Sequence, residues 1–547
     1  MGDHRPLRAP VVAALLAGAA LAAACTGTIG GDPIGDRSNS DPSCVAPTPG
    51  AALVRRLTQA QYNNTVRDLL GDTTHPADSF PPDETAGTFS NNASSQTVSP
   101  LLAQGYQQAA EALAAQAVTN KAKLLPCDPS KGEDSCVRQF VQTFGKRAYR
   151  RVLTSAEIDA LVALYTTNRQ GATFDNGIQA VLEAVLNSAS FLYLPEYGLP
   201  DQAKSGVVQL APYEMASRLS YFLWNSMPDD ALLEAADAGQ LATIEQVVAQ
   251  ARRMVADSKA RDATREFFDQ WLSVKELESA GKDATTYPDY SSALRSSMLT
   301  ETRAFLDHVM WQSDGRVETL LTAPFSFLDA NTAKIYGVQA GGPLQKTDLD
   351  PTQRAGVLTQ PSLLAIFAKP NQSSPVQRGK FVRERFLCHP LPAPPPNLVT
   401  APPEVKPGST TRERFAEHDK DPACAGCHTL MDPIGFGFEH YDGIGKYRTT
   451  DQGISVNATG SVSASDVDGP FDGAPELARK LAQSETVKGC IATQWFRYTM
   501  GRGETDADKC SLSSATQAFA AAKYDMRELL VAITVTDAFR YRMEVKP

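Results

Sequence analysis

Cys424, Cys427 and His428 stand in the spacing C-x-x-C-H, inside the stretch RERFAEHDKDPACAGCHTLMDPIGFGFEHYDGIGKYR. Two thiols three positions apart, followed at once by an imidazole, form the attachment signature of c-type haem. The thiols add to the porphyrin vinyl groups and the imidazole takes an axial place on iron. On one helical turn this spacing sets both sulfurs along the edge of a macrocycle and the histidine beneath its face. Other chemistries match less well. Zinc wants about four ligands, and the chain offers no second C-x-x-C and no H-x-x-x-H. A thioredoxin-like centre wants a βαβ setting that these flanks lack. His428 is thus the expected proximal ligand of one covalent haem c. His418, a few residues upstream, is the first candidate for the distal position, Met500 in YTMGR the runner-up and His440 the third. Met431 lies one turn on from His428, on the proximal side, and is excluded.

The elements that must position these groups are helices. Asp421-Pro422 places a capping carboxylate before a first-turn proline, which starts the helix carrying the signature; Asp432-Pro433 is expected to break it. Gly435, Gly437, Gly443 and Gly445 alternate with Phe436, Phe438, Tyr441 and Tyr447, a tight apolar wrap suited to a porphyrin face. Upstream, Pro390–Pro396 must be extended. Further back the 3.6-residue apolar period recurs block after block: LVRRLTQAQYNNTVRDLLG with a start at Thr58 and a stop at Gly71, then a helix started by Thr154 and Glu157 in capping-box spacing. The tryptophan-bearing helices of residues 211–337 follow. Trp224, Trp271 and Trp311 read as packing, and Arg147, Arg150 and Arg151 as a solvated face rather than an anion site. Residues 453–469 give the only convincing β pattern, a hairpin. The fold class is therefore mainly α: several consecutive helical modules, a C-terminal cytochrome c-like haem-binding region and one small β-hairpin.

The 547-residue chain carries a net charge of −10 without long runs, which argues against nucleic acid as a partner. Arg5 and Arg8 precede an uncharged apolar run at residues 11–24 and then Cys25. That pattern is a secretory signal over 1–24, too short to span a membrane. Cys25 directly after small residues resembles a bacterial lipobox, with lipidation at Cys25, although Ala22 stands where leucine is usual. Residues 25–50 would be a tether, the only membrane association would be the lipid anchor, and the protein would sit in the periplasm or on the outer membrane of a Gram-negative bacterium. Export makes the remaining six cysteines disulfide candidates. The expected pairs are Cys127–Cys136 and Cys490–Cys510, each flanking one segment, with Cys44–Cys388 as the remainder.

Several blocks occur in a familiar order: LVRRLTQAQYNNTVRDLLG, FGKRAYRRVLTSAEIDAL, MASRLSYFLWNSMPDDALLEAADAGQL, SSPVQRGKFVRERFL with CAGCHTLMDPIGFGFEHYDGIGKYR, and a final block ending in YTMGR. This order resembles secreted planctomycete- and myxobacterial-type multidomain cytochrome-like proteins built from DUF1587, DUF1595, DUF1592, DUF1588 and DUF1585 modules. The resemblance implies module limits near 51–125, 137–200, 208–338, 352–450 and 466–545. It also places a histidine at the position of His418 and commonly leucine at that of Met500.

Two function classes follow. The first is an exported c-type haem protein for electron transfer or haem-dependent redox chemistry at the cell envelope, acting with a redox partner protein or a small-molecule substrate. The second is a non-catalytic surface binding or scaffold protein in which C-x-x-C-H is a structural disulfide or metal site. No phosphate-cradling loop, nucleophile elbow or H-E-x-x-H is present.

Overall fold

The computed structural model describes residues 44, 47–339, 342–391, 403–418 and 422–544, without the side chains of 202, 417, 418 and 422–424. The leader at 1–24, Cys25, most of the tether and the proline run from 392 onward lie outside the described residues.

Capping chemistry fixes the helix starts where the sequence puts them. Thr58 accepts from the Gln61 backbone N–H while Gln61 reaches back, and Gly71 ends the helix Gln59–Leu70 in the left-handed region. Thr154 and Glu157 do the same for Ser155–Arg169. The structure is mainly helical, as expected.

The strands differ from the expectation. The hairpin is there, Thr459–Val462 antiparallel to Gly469–Asp472, but four further two-stranded pieces accompany it. Arg55–Arg56 pairs with Tyr193–Leu194, Val207–Gln209 with Tyr541–Met543, Phe325–Leu328 with Gln345–Asp348, and Thr450–Asp451 with Ile454–Ser455. Strands of two to four residues are too short to show alternation, and two of the pairs join segments far apart in sequence.

Those stitches join the segments into a continuous body. A large apolar core runs from Phe89 through Trp224, Phe267, Trp271, Phe305 and Phe386 to Trp495 and Phe539. A second gathers Leu57, Tyr62, Tyr106, Phe140 and Phe191, and takes in Tyr221 and Met227. Trp224 and Trp271 are buried, as packing residues should be, and Trp495 stacks on Phe267 at 3.5 Å.

Disulfides reinforce the same closure, with a changed pairing. Cys127–Cys136 forms as expected. Cys490–Cys510 and Cys44–Cys388 do not: Cys44 bonds Cys510, and Cys388 bonds Cys490. Cys490 sits early in the helix Glu485–Met500, whose rigid length carries the chain away before Lys509–Ala521 presents Cys510. The end of Pro375–Arg385, by contrast, delivers Cys388 to Cys490.

Candidate functional site

The helix Pro422–Gly435 carries the signature. It does not stop at Asp432-Pro433. Pro433 lies within its last turn, where its missing N–H forfeits one backbone hydrogen bond, and close packing accompanies the turn. That packing is unusually close. A β-carbon on Gly379 of Pro375–Arg385 would overlap the Met431 carbonyl, and one on Gly435 would overlap the Pro375 carbonyl. On another side, Gly460 of the hairpin leaves space for the Pro433 carbonyl. Backbone therefore meets backbone at three points around the helix.

His428 and Asp432, one turn apart, face each other on this helix. The His428 Nδ1 lies 2.9 Å from Asp432 Oδ2. Asp432 is fully buried and its other oxygen has no hydrogen-bond partner among the described residues. Donation from Nδ1 to this carboxyl sets the tautomer whose lone pair is on Nε2. Cys427 is a half-buried free thiol, whereas six other cysteines are consumed in disulfides. Cys424 and His418 lie on described helices, but their side chains are outside the described residues.

Of the other two distal candidates, Met500 packs against the main apolar core. Met500 ends its helix where Arg55 donates to the Thr499 carbonyl and Asn91 to that of Tyr498, while Pro422–Gly435 packs on Pro375–Arg385 and the hairpin. His440 donates from Nδ1 to the Arg448 carbonyl at 2.9 Å and stacks on Tyr447.

The glycine and aromatic segment packs closely within the protein. Gly437 makes room for Phe471, Gly443 for Tyr287 and Gly445 for Pro361. Phe438 and Tyr441 belong to the main core. What shapes this segment is Arg378, which the sequence does not single out. Its guanidinium donates to the carbonyls of Phe438, Tyr441, Leu364 and Asp442 at 2.6–3.1 Å. Burial pulls it down to about 10. Next to it, Arg448 bridges Glu439 and Asp451 at 2.9 and 2.8 Å, and Asp451 takes the backbone N–H of Thr411 at 2.5 Å. The charged frame thus anchors the start of Thr411–His418, the helix leading into the signature. An arginine that pairs with main-chain carbonyls leaves no sequence signal.

The donor chemistry fits a covalent haem: a free thiol at Cys427, the next residue an imidazole with its Nδ1 held by a buried carboxylate, both on one helix.

Fold and site together define a chain of interlocked helical modules with one C-x-x-C-H motif. Five family models match it in order: DUF1587 at residues 55–119, DUF1595 at 136–196, DUF1592 at 210–338, DUF1588 at 354–451 and DUF1585 at 468–539, each described as a protein of unknown function. The chain carries the complete set of these five modules, with the signature inside the fourth, whose family bears the cytochrome-type label PSCyt3. No curated protein and no solved structure matches it.

Proposed function

We propose that the chain is an exported c-type haem protein serving electron transfer or haem-dependent redox chemistry at the cell envelope. The observation that carries this reading is the pairing of a thiol left out of the disulfides, Cys427, with an adjacent His428 whose Nδ1 is held by buried Asp432. Cys424 and Cys427 would hold the haem covalently, and His428 would be its proximal ligand. Haem c supplies a one-electron couple at such a site. Asp432 fixes the imidazole's tautomer and ring orientation, and Pro375–Arg385 holds the helix that carries it. His418 is the first distal candidate, ahead of Met500 and His440. Cys25 would bear the lipid anchor.

The mature chain, made with a c-type maturation system, is expected to give a pyridine haemochrome band in alkali that survives denaturation. The Cys424→Ala, Cys427→Ala double variant is expected to lose it. Colourless wild-type protein, or sulfurs found bridged to each other by mass spectrometry, would end this assignment.

Asp432→Asn removes the negative partner that raises imidazole basicity and so favours the ferric state. The midpoint potential is expected to rise by on the order of 60 mV, a tenfold change for a one-electron couple. Spectroelectrochemical titration reads this directly, and an unchanged potential would show that Asp432 does not tune the ligand.

A further inference from the structure

Where the first three modules meet, a cavity of about 190 Å³ opens. Arg55, Arg150, Arg151 and Arg218 line it, against two carboxylates, Glu196 and Glu214. These arginines come from the segments LVRRLT, FGKRAYRRVLT and MASRLSYF that carry the family resemblance. Tyr149, Tyr197 and Tyr213 stand among the walls.

The carboxylates do not match the cations. Glu196 is buried and grips Arg218 through both oxygens, leaving Arg55 a longer contact of 3.4 Å to the same group. Glu214 is spent on the backbone N–H groups of Tyr197, Gly198 and Ala211. Arg151 is balanced by Glu157. Arg150, read from sequence as part of a solvated face, is instead buried, and it donates to the carbonyls of Ser190, Phe191 and Tyr193. Arg542 adds its positive field at Glu196. Burial, together with the charge of Arg218, holds Arg55 below the usual guanidinium value. Buried cations outnumbering their carboxylates are costly, and an anion in the adjoining space relieves that cost.

Size and walls narrow the class of anion. A cavity of about 150 Å³ accepts a benzene ring, so this one has room for a ring and a carboxylate. We infer that the cavity binds a small organic anion, a carboxylate borne on an aromatic or other apolar ring, with the charge toward Arg55 and Arg218 and the ring among the tyrosines. No residue of the signature helix lines the site, and its occupant touches residues of three modules at once.

Titration calorimetry of the mature full chain with benzoate tests this. Benzamide keeps the shape without the charge, and inorganic phosphate keeps the charge without the ring. Saturable one-to-one binding of benzoate is expected, with both comparators weaker by about tenfold or more. Tyr197 is largely exposed at the mouth, so Tyr197→Ala should fold normally and weaken benzoate binding by about threefold or more. Arg55→Gln should abolish binding while the helical circular dichroism persists; if that variant does not fold, Tyr197→Ala decides. No saturable heat with benzoate, benzamide or phosphate binding as tightly as benzoate, or an affinity untouched by Tyr197→Ala would each overturn the inference.

Discussion

Gly379→Ala is expected to destabilise the chain by about 3 kcal/mol or more, the upper range for overpacking a rigid contact. Two effects oppose each other. Alanine in a helix interior is favoured over glycine by about 1 kcal/mol, and Gly379 sits inside the helix Pro375–Arg385 without a positive φ that would forbid a side chain. Against this, a new β-carbon would overlap the Met431 carbonyl oxygen, carbon and the Gly435 backbone nitrogen. Those are backbone atoms of the signature helix, fixed by its own hydrogen bonds and backed on another side by the hairpin at Gly460, so they cannot rotate aside as a side chain would. The steric term wins. Thermal unfolding of the full chain measures the net effect, and Gly489→Ala is the matched control: that glycine is in the interior of Glu485–Met500 with nothing near its missing β-carbon. The control should stabilise slightly. A Gly379→Ala variant that melts no lower than wild type would show that the two helices do not pack backbone to backbone. Where the chain still folds, the displaced signature helix should lower the yield of covalently attached haem, since His428 and Asp432 ride on it.

What can be read from the sequence is local. The caps at Thr58 and Thr154 depend on residues three apart, the Cys127–Cys136 bridge closes a short turn, and C-x-x-C-H is a property of five residues. Expectations fail wherever the deciding partner is remote. Proximity along the chain matches Cys490 to Cys510, but a straight helix separates neighbours in sequence and the fold brings Cys388 instead. Adjacency to Arg147 and Arg151 makes Arg150 look solvent-facing. It ends the helix Glu133–Tyr149 in a left-handed conformation, φ 58°, and turns its guanidinium inward onto main-chain carbonyls. Arg378 escapes notice for the same reason. The glycine and aromatic run after the signature carries a true composition signal, close packing, whose object is Phe471, Tyr287 and Pro361. Five family matches in sequence likewise suggest beads on a string, yet the core residues of one match interleave with those of the next.

Stability should fall as pH rises from about 4.5 to about 7, owing to one carboxyl at the junction of the third and fourth modules. Glu301 is fully buried; its Oε1 accepts from Ser326 Oγ at 2.6 Å and from the Tyr336 hydroxyl at 2.5 Å, and its Oε2 has no partner among the described residues. Desolvation pushes the group up to about 7, despite the hydrogen bonds from Ser326 and Tyr336 and the positive charge of Arg354, which act the other way. The folded chain therefore keeps this proton over a range in which the unfolded chain has released it. The contribution is complete below the unfolded value near 4.5 and is lost as pH climbs through the folded value near 7. Its size is about 3 kcal/mol, because each pH unit between the unfolded and folded values is worth about 1.4 kcal/mol. Carboxylates held low by ion pairs, such as Glu157 beside Arg151, have the opposite dependence at more acid pH, so the signature of Glu301 is a difference between variants. Glu301→Gln, a neutral stand-in for the protonated acid, should exceed wild type by only about 1 kcal/mol at pH 5 and by about 3 kcal/mol at pH 8. Urea denaturation at pH 5, 6, 7 and 8 gives that difference, and a gap constant with pH would mean the proton is not held. The opposing cation, Arg354, belongs to the fourth module: it lies over the rings of both Tyr336 and Tyr441 and donates to the Gly445 carbonyl at 2.8 Å, so what the ionised carboxylate loses is hydration and not its partner.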